Sequence, residues 1–174
     1  MVRVLLVTVL LLLNTPLFAA TSHGYLGVFG GELKVNGMET KKAKPLIYTL
    51  GYRLSSLLAF QLEYSESEFI GGLGTGRNAV PLDIDYSTTG AYLMMIHPLG
   101  SWVDLNLKYG YVEIDYNFLK PDANAVYEER FSSQGQAYGG GLTLKTSNSL
   151  VLTFDYTQLR DDASQISAGV EVDL

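Results

Sequence analysis

Residues 46–64 read LIYTLGYRLSSLLAFQLEY. Leu46, Tyr48, Leu50, Tyr52 and Leu54 occupy alternate positions, and beyond Ser55-Ser56-Leu57 so do Leu58, Phe60, Leu62 and Tyr64. A period of two marks a strand with two unlike faces. A three-residue turn at 55–57 pairs Leu54 with Leu58, Tyr52 with Phe60, Leu50 with Leu62 and Tyr48 with Tyr64. Directly paired residues of an antiparallel hairpin share a face. One face of this hairpin is therefore apolar or aromatic throughout, and the other carries Arg53, Ala59, Gln61 and Glu63.

The same period recurs outward in both directions. Tyr25, Gly27, Phe29, Gly31 and Leu33 form the matching face of an earlier strand. Tyr86, Thr88, Gly90, Tyr92, Met94 and Ile96 form another, with Leu93 and Met95 blurring its contrast. Then come Val103 to Tyr111, Tyr138 to Leu144, Leu150 to Tyr156 and Ile166 to Leu174. The expectation is eight strands. Their connections alternate as well. Ser55–Leu57, Pro98–Ser101 and Thr146–Ser149 are short. Residues 35–45, 66–83 and 117–132 are longer, the second with a glycine-rich 71–76. Short turns at one end and long loops at the other predict an antiparallel up-and-down transmembrane β-barrel of eight strands, with its termini at the short-turn end.

Composition agrees with this class. The chain has 174 residues, 47% hydrophobic and 17% charged, with a net charge of −6 and no Cys. An acidic balance disfavours nucleic acid. The absence of Cys removes disulfides, thiolate metal sites and a catalytic thiol. Residues 1–22 read as a secretory signal: Arg3, an apolar run from Val4 to Leu13, then small residues with cleavage near 19–22. That run is about half of what a spanning helix needs. The barrel is expected over 23–174.

Alternation alone does not say which face points inward, since a soluble lipocalin-like barrel turns its apolar face to the cavity. Small residues on the polar face (Ala59, Gly110, Ala137, Gly139, Gly141, Gly169) suit a narrow filled lumen. The apolar face is long in nearly every strand, with Tyr near its ends. These features put the apolar face toward lipid and the polar face inside. The lumen is then expected to hold Glu32, Arg53, Glu63, Asp104, Lys108, Lys145, Asp155, Glu171 and Asp173. Lys108 falls mid-strand at the depth of Glu32, Glu63 and Asp155, and is read as the hub of an ion network that plugs the barrel. The competing expectation is a wet lumen of independently hydrated groups.

Signal, eight amphipathic strands, long outer loops and an alternating apolar C-terminus resemble the small outer-membrane barrels of the OmpA transmembrane-domain and OmpX type. The resemblance covers residues 24–174 and is architectural. It implies residence in the bacterial outer membrane, with lipid, lipopolysaccharide and the outer-membrane assembly machinery as partners. The assembly signal of that family ends in an aromatic, usually Phe; here Val170, Val172 and Leu174 stand in its place. The eighth strand ends the chain, so a peptidoglycan-binding domain is not expected. A monomer is expected, and the ligand of the loops is not legible.

Chemistry is sparse. His23 and His97 are the only histidines, and no nucleophile, base and orienting acid fall together. No catalytic, cofactor or metal site is expected. The glycine-rich segment lacks the lysine of a phosphate cradle. Glu66, Glu68, Asp83 and Asp85 read as solvated charge, without calcium-loop spacing. The Lys41-Lys42-x-Lys44 cluster reads equally as solubility or as contact with lipopolysaccharide phosphates. A structural or interaction protein is expected first, a narrow cation-preferring channel second and a lipid-modifying enzyme last.

Overall fold

A computed structural model describes residues 22–35, 43–73, 80–122, 125–146, 149–161 and 163–174. Residues 1–21 of the expected signal segment, together with Lys41 and Lys42, lie outside them. Eight strands follow in order: β1 His23–Val35, β2 Leu46–Arg53, β3 Leu58–Leu73, β4 Val80–Pro98, β5 Val103–Asp122, β6 Ala125–Lys145, β7 Leu150–Arg160 and β8 Ala163–Asp173. Each pairs antiparallel with its sequence neighbours, and β1 pairs with β8, closing the barrel. The hairpin of residues 46–64 has the expected register, Leu50 opposite Leu62 and Tyr52 opposite Phe60. Its turn is closed by Leu54 N–H donating to Leu58 O at 2.9 Å. Leu99 N–H to Val103 O, also 2.9 Å, closes the β4–β5 turn at the same end.

Two expectations about length are corrected. Residues 66–83 and 117–132 are mostly strand, because β3 runs to Leu73 before β4 starts at Val80, and β5 runs to Asp122 before β6 starts at Ala125. β3 to β6 have 16, 19, 20 and 21 residues, against 8 to 13 for the other four. A tilted membrane strand needs about 9–11. Beyond that length the apolar alternation stops but the hydrogen-bond ladder does not. Outward polar groups then pair across strands: Gln134 Nε2 and Ser132 Oγ both donate to Glu113 Oε1, at 2.8 and 3.1 Å.

Two expectations about facing are corrected too. In β1, Tyr25, Phe29 and Leu33 are buried inside, while Leu26 and Val28 point out. In β4, Tyr86, Tyr92, Met94 and Ile96 are inside, and Leu93 and Met95 are outside. Both strands carry apolar residues on both faces, so hydrophobicity cannot choose between them. Inner glycines do. The Tyr25 ring occupies the place a Cβ on Gly51 would take, and the Tyr92 ring does the same at Gly90. The aromatic rings fill the lumen where these two glycines leave room. The remaining strands face as expected, with Leu50, Leu62, Leu107, Leu142, Phe154 and Val170 outward.

Candidate functional site

The lumen is solidly filled. At mid-height Lys108 of β5 extends Nζ to Glu63 Oε2 of β3 at 3.1 Å and Asp155 Oδ2 of β7 at 3.5 Å. Lys108, Glu63 and Asp155 keep 3%, 3% and 6% of their side-chain surface exposed, so the ions are enclosed rather than bathed. Gln165 Nε2 donates to Glu63 Oε1 at 3.3 Å, and the Lys108 ammonium sits 5.0 Å from the centre of the Tyr92 ring. The arrangement follows from strand alternation: β3, β5 and β7 each turn a charged residue inward at one level, and one cation reaches two anions.

Toward the short-turn end the packing stays polar. Lys145 Nζ meets Asp104 Oδ1 at 2.8 Å, with Asp104 buried and Lys145 at the mouth. Asn106 Nδ2 donates to Thr143 Oγ1, which lies 3.0 Å from Thr153 Oγ1. Tyr25 Oη donates to Gln61 Oε1 at 2.9 Å. The Arg53 guanidinium stacks 5.5 Å from the Tyr25 ring centre. Glu171 is buried on β8. His23 Nε2 lies 3.2 Å from Asp173 Oδ1 where the barrel closes.

Toward the other end the lumen becomes apolar. Leu33, Val112, Ile114, Ala137 and Leu159 form one buried cluster with Tyr86, Tyr92 and Tyr116. Toward the same end a cleft of about 1050 Å³ has a lining that includes Lys44, Glu66, Asp85, Asp115, Arg130 and Phe131; Glu66, Asp85 and Asp115 share the outward parity of Leu62, Leu93 and Leu107 on their strands.

Of the predicted lumen residues, the structure joins Lys108 to Glu63 and Asp155, and Lys145 to Asp104. Arg53, Glu171 and Asp173 also lie inside or at the lower mouth. Glu32 does not. It shares the outward face of β1 with Leu26 and Val28, and the register sets it opposite Lys44, between the pairs Gly30–Leu46 and Leu33–Ala43. The inward turn of Phe29 and Leu33 fixes this parity. The C-terminal Val170 and Val172 are outward on β8, and Leu174 just beyond it is exposed. Tyr25, Gln61, Tyr92 and Gln165, which bind the network together, were missed. The signal that could have found the two tyrosines is an inner glycine opposite each, Gly51 across from Tyr25 and Gly110 across from Tyr92.

No catalytic constellation assembles among the described residues, and no group of three or more His, Asp or Glu there is arranged to hold a metal. His97 is exposed beside the β4–β5 turn.

No protein-family profile and no curated protein sequence matches the chain. Solved structures do. OprG from Pseudomonas aeruginosa has a TM-score of 0.66 at 12% identity, covering 89% of this chain and 96% of that one. Neisserial surface protein A has a TM-score of 0.64 at 14% identity, covering 88% and 97%. Ail, the attachment invasion locus protein of Yersinia pestis, solved in complex with the heparin analogue sucrose octasulfate, has a TM-score of 0.60 at 16% identity, covering 88% and 97%. Identities this low carry the architecture alone. By fold, then, the chain stands with the small eight-stranded outer-membrane barrels.

Proposed function

We propose that this chain is an integral protein of the bacterial outer membrane, exported by a cleaved signal, with a structural or interaction role carried by its outward surfaces. One observation carries the reading: a belt of exposed apolar side chains surrounds a closed barrel whose interior is plugged. Leu26, Leu50, Leu62, Leu93, Leu107 and Phe154 are 44–51% exposed and lie on six different strands. A water-soluble protein rarely exposes so continuous an apolar surface. Closure leaves no free strand edge within the belt, as a lipid-embedded sheet requires. Tyr52 and Trp102 toward the short-turn end, and Tyr48, Tyr64 and Tyr111 toward the other, are exposed where aromatic girdles sit.

The long hairpins β3–β4 and β5–β6 are the outer face in this reading, and the termini are periplasmic. Lipid, lipopolysaccharide and the assembly machinery are its partners, and the barrel works as a monomer. No catalytic role is proposed. A narrow cation-preferring channel draws support from the buried carboxylates Glu63, Asp104, Asp155 and Glu171. The Lys108 network and the apolar cluster above it favour a closed lumen instead. A sulfated polyanion such as the one bound by Ail finds little support here: the upper cleft sets Glu66, Asp85 and Asp115 against Lys44 and Arg130. Outer-membrane fractionation with heat-dependent gel mobility tests the reading. The unboiled protein is expected in the outer-membrane fraction with a mobility that changes on boiling. Recovery in the soluble fraction would overturn it.

A further inference from the structure

Along one transverse row of the barrel, Leu46 on β2, Gly30 on β1, Ala168 on β8 and Phe154 on β7 are consecutive register partners. All four face outward. The two small residues in the middle lie between two large ones, so the wall dips. The space outside Gly30 is open, with no atom within 4 Å of where a Cβ would stand. The dip belongs to a groove of about 820 Å³. Its next row up, toward the long hairpins, begins with Lys44 and Glu32 facing each other and continues to Ile166. Lys34, two residues beyond Glu32, is exposed on the same outward face. An apolar trough thus ends in two lysines and one carboxylate at the level where the belt gives way to polar surface.

We propose that this groove seats one acyl chain of lipid A, with Lys44 and Lys34 holding its phosphate. The inference rests on the outer-membrane reading above, which places the charged rim in the leaflet built of lipopolysaccharide. Charge and shape select the occupant. A saturated chain fills a narrow trough that lipid would otherwise have to leave as a void. The rim offers cations to a phosphate, with Glu32 opposite Lys44 in the register at the head of the trough. A second copy of the chain is a poorer occupant, since the same charged rim would have to be buried against itself.

Native mass spectrometry tests this on the full barrel refolded in mild detergent with purified lipid A, and separately with phosphatidylethanolamine. One bound lipid A is expected, preferred over phosphatidylethanolamine by about tenfold, a factor that corresponds to about 1.4 kcal/mol. Gly30→Leu fills the trough without a clash and is expected to abolish the preference; Lys44→Glu is expected to weaken it severalfold. Leu62→Phe, on the β3 wall, is expected to leave it unchanged. A heat-shifted gel band establishes that each variant is folded. Lipid A binding that survives Gly30→Leu overturns the proposal, as does a wild-type dimer that the same substitution dissociates while lipid binding stays constant. A barrel that reaches the outer membrane but shows no lipid preference sinks the groove alone. A barrel absent from that membrane sinks the reading beneath it.

Discussion

Lys108 is the residue on which the interior turns. A buried cation shared by two carboxylates is costly to remove, because the anions remain enclosed without a counter-charge. Lys108→Ala is expected to lower unfolding stability by about 3–5 kcal/mol, the range for breaking a buried ion pair. Urea unfolding followed by gel mobility reads this directly. Adding Glu63→Gln and Asp155→Asn to Lys108→Met removes all three charges and is expected to restore most of the loss. Persistence of the full loss in the triple variant would assign the effect to packing instead. The hub was legible in the sequence because three charged residues fall at one depth on alternate strands. Its neighbours were not, because Tyr25 and Tyr92 look like any other aromatic in an alternating run. At Gly51 the dependence is steric. A Cβ there meets the Tyr25 ring, so Gly51→Val is expected to cost about 1–3 kcal/mol, as overpacking does. Gly30→Val on the open outer face is expected to cost much less in the same urea titration.

Strands make the inside–outside contrast testable by parity. Leu62 and Leu107 are outward, whereas Gln61 and Asn106 beside them are buried. Arg at either leucine is expected to cost about 2–4 kcal/mol at mid-belt. Arg at Gln61 or Asn106 instead enters a filled lumen and is expected to prevent folding or to disturb the Lys108 network. Measuring all four by refolding into lipid vesicles checks the assignment, and uniform tolerance would count against a membrane belt. Six of the eight strands had their faces assigned correctly from the alternation, because one side was mostly polar or small across the belt. β1 and β4 failed for a single reason. Phe29 and Leu33 fill the lumen while Leu26 and Val28 meet the outside, so no polar face exists to mark the interior, and the outward place of Glu32 was lost with it. The strand ends at 73 and 122 were illegible for a related reason. Beyond the belt the ladder continues, but the pattern that reports it does not.

At the scale of the molecule, the mouths differ in kind. One is polar and charged, and the other is sealed by apolar side chains. Planar-bilayer recordings are therefore expected to show no steady conductance for the wild-type barrel. Lys108→Ala alone is expected to leave it closed, since the upper cluster of Leu33, Val112, Ile114 and Leu159 stays in place. A steady cation current through the wild type would revive the channel reading. Topology is tested by epitope tags. Gly74 and Ser147 both lie outside the described residues, yet they fall between β3 and β4 and between β6 and β7 respectively. Antibody on intact cells is expected to reach a tag at Gly74 and not one at Ser147; the opposite result would invert the molecule.

The unequal wall has its own consequence. β6 pairs with β7 only from Tyr138 to Lys145, and β2 meets β3 no higher than Glu66. Above those levels β3 to β6 stand as a four-stranded sheet with two lateral margins that no neighbouring strand covers among the described residues. Water reaches that backbone from the sides, while the ladder below is screened by the packed lumen and, in the outer-membrane reading, by acyl chains. A single continuous strand therefore spans two protection regimes. In deuterated buffer, amides of β6 above Tyr138 should exchange through local opening, and those below it should wait for the barrel as a whole to come apart. The height at which the rate breaks would mark, residue by residue, where the membrane ends.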